Sequence, residues 1–277
     1  MKTNFLRLIL LFCSLVACSF VRAENAENVA CPRIVSQSPY LTQALEWLGR
    51  GDCLVGVSRY DQLRPALPRT GGVLDPDAEA IAALQPELIV TSNWADEALL
   101  NRITPASAKR LTVDGFRSMQ DAEAMLAALA EASGASDAQT KIDAFSRDWR
   151  QVAERIAPIA RKRRLLVLST CMGNPLSFGR DHVIGDVFAQ SGFSLVETAP
   201  KVRHLVEGAD IPDVKTLLET TRPEIIVALT NESAEFCRMI APQIEAEVLT
   251  LDGAPFIHPG PGLLKAFEEI EAAFPVP

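Results

Sequence analysis

Ala78-Glu79-Ala80-Ile81-Ala82-Ala83-Leu84-Gln85-Pro86-Glu87-Leu88-Ile89-Val90 returns about half a chain later, loosened, as Lys215-Thr216-Leu217-Leu218-Glu219-Thr220-Thr221-Arg222-Pro223-Glu224-Ile225-Ile226-Val227. Each copy reads as an amphipathic helix halted by a proline, which disfavours helical geometry in the residue before it, and then a β-branched run of buried-strand length. Both copies open with proline and aspartate, Pro76-Asp77 and Pro212-Asp213, and both runs end in asparagine, Asn93 and Asn231. A proline in a first helical turn loses no hydrogen bond. The simplest account is two similar α/β lobes, and a chain so built holds its ligand in the cleft between them.

Outward from the first copy, Arg33–Ser36, Leu54–Val57, Leu88–Val90 and Arg110–Val113 read as strands that alternate with helices, the pattern of a parallel sheet covered on both faces. An alanine-rich helix is predicted from Ser118 to about Gly134. A longer one, from Ser136 to about Arg163, carries Ile142, Phe145, Trp149, Val152 and Ile156 at helical spacing. Leu165–Leu168, Ser194–Val196, Glu224–Leu229 and Glu247–Leu251 follow as strands of a second lobe, and a helix from about Gly262 to Phe274 comes after them. The expected division is a first lobe over 24–135, a connecting helix over 136–163 and a second lobe over 164–277. One packed helix resists large rotations, so ligand-driven closure is expected to be small.

The first residues stand apart from this pattern. Lys2 and Arg7 flank an apolar run from Leu8 to Val21, and Val21-Arg22-Ala23 supplies a small-residue cleavage site. Residues 1–23 therefore read as a secretory signal peptide, and the protein is expected in the periplasm. Leu15-Val16-Ala17-Cys18 also matches a lipobox, so anchoring through an acylated Cys18 stays open. Removing residues 1–23 takes Lys2, Arg7 and Arg22 from the 27 basic side chains and none from the 35 acidic ones, which leaves a net charge of −11. Such a surface repels nucleic acid and anionic lipid.

Cys31, Cys53, Cys171 and Cys237 remain after that cleavage. In an exported chain an even number points to disulfides. The lobe argument favours Cys31 with Cys53 and Cys171 with Cys237, each closed loop stabilising its own lobe by roughly 2 to 4 kcal/mol. No Cys-x-x-Cys or His-x-x-x-His spacing supports a metal site, and none is expected.

Arg33-Ile34-Val35-Ser36-Gln37-Ser38-Pro39, Leu54-Val55-Gly56-Val57-Ser58-Arg59-Tyr60 and the Gly71-Gly72 turn before the helix-Pro-Glu-Leu-Ile-Val unit resemble the helical-backbone, or class III, substrate-binding proteins of ABC importers, and among them the vitamin B12-binding members. In the second lobe the resemblance rests on Pro223–Val227 and Ile257-His258-Pro259-Gly260-Pro261-Gly262. It implies a monomer without catalysis or cofactor that captures a cobalamin-like corrinoid or a metal chelate and delivers it to an ABC importer permease dimer. A ferric siderophore, and a sensing role without transport, are the alternatives.

Ligands of open parallel sheets sit beyond the carboxyl ends of the strands. The loops there offer Ser38, Tyr40, Arg59, Tyr60, Asn93, Trp94 and Phe116 from the first lobe. The second offers Met172, Asn174, Arg203, His204, Asn231, Phe256 and His258. Aromatic rings so placed suit a large, partly flat, amphipathic ligand. By the resemblance, Tyr60 matches an aromatic that follows the second strand of the B12-binding members, and Trp94 lies close to another after the third. Val73 and Leu74 stand where a tryptophan is expected, and Val73 stands where haem-binding members carry a tyrosine, so no axial ligand is offered there. The resemblance also implies an acidic permease-docking residue near the start of each repeated helix. Glu79 occupies that place in the first lobe, whereas the second has Lys215.

An exported α/β enzyme is the reading of a different class. No Gly-x-Ser-x-Gly elbow, phosphate-cradling glycine loop or His-Glu-x-x-His is present to support it, and Cys171 paired with a histidine is the thiol nucleophile such an enzyme would use.

Overall fold

A computed structural model describes residues 31–170, 174–230 and 245–274. The expected signal peptide with Cys18, and Cys171, Met172, Asn231 and Cys237, lie outside the described residues.

The first lobe is a four-stranded parallel sheet of β1 (Ile34–Ser36), β2 (Leu54–Val57), β3 (Leu88–Ser92) and β4 (Lys109–Val113), in the order β2-β1-β3-β4. Helices α1 (Pro39–Trp47), α2 (Ala78–Ala83) and α3 (Glu97–Ile103) cover its two faces. Alternate residues of β1 and β3 enter different cores: Ile34 and Val90 pack with Leu41 and Leu45 of α1, while Val35 and Ile89 pack with Ile81, Leu100 and Ile103. That two-sided burial is why these strands read as unbroken apolar runs. A disulfide joins Cys31 to Cys53, whose Cα atoms are 5.8 Å apart, and ties the approach to β1 to the start of β2.

Two helices lead to the second lobe. In α4 (Met119–Ser133), Ser118 caps the start by accepting from the Asp121 N–H at 3.1 Å, and Gly134 ends it in the left-handed region. The long helix α5 (Ala138–Ala160) buries the stripe from Ile142 to Ile156 that its spacing announced. Trp149 at the middle of that stripe stacks on Phe267 of the helix Leu263–Ala273 at 5.4 Å. Its indole N–H donates to Glu123 Oε1 on α4 at 2.7 Å, so the connector is fastened on two sides.

The second sheet contains β5 (Arg164–Leu168), β6 (Leu176–Phe178), β7 (Ser194–Leu195), β8 (Val202–His204), β9 (Ile225–Leu229) and β10 (Glu247–Leu251), with helices α6 (Val183–Gln190) and α7 (Val214–Thr221). Strands β10, β9, β5 and β7 pair in parallel, as the lobe argument required. The addition is β6 and β8, which extend the sheet antiparallel beyond β5 in the order β10-β9-β5-β6-β8. Three residues each are too few to show a hydrophobic period, which is why they do not stand out in the chain.

The internal repeat survives at atomic detail. Asp77 caps α2 by accepting from the Ala80 N–H at 3.0 Å, and Asp213 caps α7 by accepting from the Thr216 N–H at 2.7 Å. Each helix leaves through a residue with positive φ, Gln85 (+46°) and Arg222 (+44°), which costs a side-chain-bearing residue about 1 kcal/mol. An arginine from the start of the same lobe compensates. The Arg33 guanidinium donates to the carbonyls of Leu84 at 2.7 Å and Gln85 at 3.3 Å, and Arg164 donates to those of Thr221 and Arg222, the latter at 3.2 Å. The glutamates after the prolines return the favour: Glu87 accepts from the Arg33 N–H at 2.8 Å, and Glu224 from the Arg164 N–H at 2.6 Å.

Candidate functional site

The carboxyl ends of β1, β2, β3 and β4 all open on one side of the first lobe, and their loops surround a cavity of about 320 Å³. Gln37, Ser38 and Tyr40 come from the β1 loop, Ser58 and Tyr60 from the β2 loop, and Val73, Leu74 and Asp75 from the turn before α2. Trp94 follows β3 and Phe116 follows β4, while Ile257 and His258 close the cavity from the second lobe. Ile257 also borders a neighbouring cavity of about 380 Å³ lined by Ser169, Phe178, Ile184, Leu229 and Phe256 of the second lobe.

Phe116 is the hub of the aromatic lining. Its ring meets Tyr40 edge-on at 5.1 Å, Trp94 at 5.1 Å and His182 at 6.2 Å, and His182 in turn meets Phe178 at 5.1 Å. Tyr40 also lies 6.3 Å from the His258 ring. The sequence offered Tyr40 as a ligand contact; at 1 % exposure its ring is packed into the core against Phe116 while still bordering the cavity. The helix start at Pro39 turns it inward. Tyr60 and Trp94 are the opposite case, 64 % and 57 % exposed on the open side.

Local geometry explains how these rings are held. The Tyr60 N–H reaches Ser58 Oγ at 3.3 Å and the Trp94 N–H reaches Ser92 Oγ at 3.4 Å, so a serine two residues back steadies the backbone that carries each ring. The turn carrying Leu74 and Asp75 doubles back through Gly71, whose φ of +81° and distance to Asp75 leave no room for a Cβ. Arg59 crosses the lip of that turn. Its Nη2 lies 2.7 Å from Asp75 Oδ2 and donates to the Asp75 carbonyl at 3.0 Å, with the guanidinium 5.8 Å from the Tyr60 ring centroid.

Two buried polar atoms in this wall lack a partner among the described residues, Gln37 Oε1 and the Tyr40 hydroxyl, which lies near Ser92 without an aligned hydrogen bond. The amide of Gln37 is oriented by chemistry. Its Nε2 donates to Thr70 Oγ1 at 2.7 Å, and the Thr70 hydroxyl spends its own proton on the Val57 carbonyl at 3.1 Å, so Oε1 is left as a bare acceptor. Nothing in the sequence marked Gln37, because the signal is a hydrogen-bond count across two loops.

Burial drives the His258 imidazole below its usual range, and burial holds His182 down to about 4 against a weaker pull from Asp114. Both rings are neutral near pH 7. The neutral His182 caps α6, its Nδ1 accepting from the Ile184 N–H at 3.2 Å. Burial raises the Tyr40 hydroxyl, which therefore stays protonated.

The other expected contacts fall elsewhere. Asn93 is exposed at the end of β3, where its Nδ2 donates to Asp114 Oδ2 at 3.1 Å. Asn174 is exposed beyond β5 and joins neither cavity. Arg203 requires a correction: its Nε and Nη2 donate to Glu197 Oε1 at 3.0 and 2.8 Å and its Nη2 to Thr198 Oγ1 at 3.0 Å, so the guanidinium neutralises a buried carboxylate rather than facing either cavity. Glu79 is exposed in the first turn of α2, whereas Lys215 lies 3.7 Å from Glu219 one turn further along α7. Among the described residues no group of three His, Cys, Asp or Glu side chains is arranged to hold a metal ion. No helix among them is long and apolar enough to cross a membrane.

No curated protein matches the chain in sequence. Several solved structures share its fold. A periplasmic vitamin B12-binding protein of Vibrio cholerae matches with a TM-score of 0.70 and 18 % identity over 88 % of this chain and 96 % of its own. A periplasmic haem-binding protein of Vibrio cholerae matches with a TM-score of 0.71 and 14 % identity over 87 % and 97 %, and one from Pseudomonas aeruginosa with a TM-score of 0.68 and 21 % identity over 89 % and 94 %. At these identities the likeness carries the fold and not the ligand. The family described as periplasmic binding protein matches residues 34–246, from β1 to the approach of β10. The two-lobed helical-backbone fold and that match, which runs over most of the chain, agree: this chain belongs to the periplasmic binding protein family.

Proposed function

We propose that the chain is exported, captures a cobalamin-like corrinoid in the cleft between its lobes and delivers it to an ABC importer, with no chemistry of its own. The observation that carries this reading is the pair Tyr60 and Trp94, two large rings left exposed on one side of a cavity whose other side is closed by Ile257 and His258. Exposed aromatic surface in a concave site is matched by a broad, partly flat ligand face. The neutral imidazole of His258 and the polar atoms of Ser38 and Ser58 then orient the ligand. Val73 lines the cavity where a haem-binding protein of this resemblance would place its axial tyrosine, which weighs against haem.

Delivery is proposed through Glu79, whose carboxylate makes no ion pair among the described residues and is open to a permease arginine. In the second lobe Lys215 and Glu219 share a helical face, so the acidic contribution there is partly neutralised.

Calorimetric titration of the purified chain with cyanocobalamin tests the ligand. Saturable one-to-one binding at micromolar or tighter affinity is the expected result. Absence of heat at high corrinoid concentration, with binding of a ferric siderophore instead, would replace corrinoid by iron chelate as the cargo.

A further inference from the structure

Resting on the reading that the interlobe cleft holds the ligand, we infer that this cleft selects against negatively charged ligands, and that Asp75 sets the selection by occupying Arg59. Among the described residues, Asp75 is the only Asp, Glu, Lys or Arg side chain that lines either cavity. The nearest cation, Arg59, is turned onto it through both the carboxylate at 2.7 Å and the carbonyl at 3.0 Å. An anionic ligand therefore meets a carboxylate at the lip and a guanidinium already spoken for.

The wall behind the lip points the same way. Gln37 holds a buried acceptor without a donor in that wall, and an anionic oxygen cannot satisfy it. His258 and His182 are neutral by burial, so neither supplies a positive charge. Asp114 at the end of β4 acts electrostatically on both Tyr40 and His182, adding negative potential on the Phe116 side. Its nearest cation, Arg117, is 3.9 Å away and is bound more closely to Asp121 at 2.9 Å. A ligand whose polar groups are amides or hydroxyls meets none of this repulsion, and its N–H groups find acceptors.

The Arg59–Asp75 pair is exposed on both sides, so it is weak and one substitution is enough to undo it. Asp75→Asn removes the carboxylate while keeping its size, and Arg59 becomes available to an anion. The test uses two pairs of probes that differ in charge: cyanocobalamin against the derivative in which one propionamide is hydrolysed to a carboxylate, on one scaffold, and an uncharged ferric tris-hydroxamate against an anionic ferric tris-catecholate. The wild-type chain is expected to favour the uncharged member by about tenfold or more. Asp75→Asn should shrink that preference by about fivefold, and adding Arg59→Gln should cancel the gain in anion binding.

Equal wild-type affinity for both members of a pair would overturn the inference, as would a preference that Asp75→Asn leaves unchanged or failure of both uncharged probes to bind. Binding of the ferric hydroxamate without the corrinoid would sink the corrinoid reading alone, and the charge selection would then be judged on the ferric pair.

Discussion

Asp186 Oδ2 on α6 accepts a hydrogen bond from the backbone N–H of Met119 at the start of α4, 2.8 Å away, so a side chain of the second lobe satisfies the helix end through which the chain leaves the first. The Val183 N–H donates to the Phe116 carbonyl at 2.7 Å beside it. Phe116 is also the hub of the cavity wall, so the lobe contact and the cavity share a residue. A first-turn N–H has no partner inside its own helix, and a negative charge there also suits the helix dipole. A hydrogen bond across the lobes thus adds to the helical connection between them.

Burial raises the Asp186 carboxyl above its usual range, against the opposing pull of the Met119 and Gln190 hydrogen bonds. A carboxyl raised on folding binds its proton more tightly in the native state, so this group's contribution to stability improves as pH falls from neutrality towards the raised value. Asp186→Asn keeps an acceptor for Met119 without the buried charge and should melt at or above the wild type at pH 7, the difference shrinking on acidification. Asp186→Ala orphans the N–H and should cost about 1 to 3 kcal/mol. Thermal melts of the three proteins between pH 4 and 8 decide this, and a lower melting point for the asparagine variant than for alanine would contradict it.

His182 acts with the opposite sign. Its native value of about 4 lies below the ordinary 6.5, so its share of stability is complete above pH 6.5 and is lost as pH falls towards 4, where the imidazolium forms and no longer accepts from Ile184. His182→Asn keeps a capping acceptor that does not titrate. Its melting temperature relative to wild type should rise as pH drops through that window. Parallel curves for the two proteins would show that His182 carries no such term.

Tyr60→Ala and Trp94→Ala should each weaken ligand binding by about tenfold, the order expected when a buried aromatic contact is lost. Melting temperatures should hardly move, because both rings are exposed without ligand. Of the other two tryptophans, Trp149 is buried on Phe267 and the half-buried Trp47 packs on Phe145 and lines neither cavity, so a ligand-induced change of tryptophan fluorescence should disappear with Trp94. A fluorescence response that persists in Trp94→Ala would place the ligand elsewhere.

Arg203→Leu should behave as a stability variant. The Glu197 side chain is wholly inaccessible; burial pushes its carboxyl up, but hydrogen bonds from Arg203, Ser177 and Ala199 outweigh this and hold it below the usual range. Removing the guanidinium leaves a buried charge unpaired, at a cost of about 3 to 5 kcal/mol. Glu197→Gln combined with Arg203→Leu should recover part of that loss in denaturant melts. Stability unchanged in the single variant, with ligand affinity lowered, would return Arg203 to the ligand site.

The elements legible in the chain are those whose evidence is local. The helix-Pro-Glu-strand repeat, the stripe from Ile142 to Ile156 and the unbroken runs of β1, β3, β5 and β9 report burial through periodicity, which neighbouring residues are enough to encode. The position of Tyr60 and Trp94 at the cavity was legible too, because a strand end fixes which loop residues lie at its mouth. The fit of Cys31 to Cys53 followed from the lobes in the same way.

What tertiary structure alone decided depends on groups that are remote in the chain or on which way a helix start turns its ring. Strands β6 and β8 exist because the chain after β5 folds back along its edge, and only that return gives three-residue segments partners. Tyr40 became core, Arg203 was claimed by Glu197, Arg59 by Asp75 and Met119 by Asp186. The amino-acid sequence determined two α/β lobes and the side on which the cavity opens, since periodicity and strand direction are written residue by residue. Which polar groups remain free to meet that ligand was decided in three dimensions, because a buried charge or hydrogen-bonding atom takes whichever partner folding brings within about 3 Å.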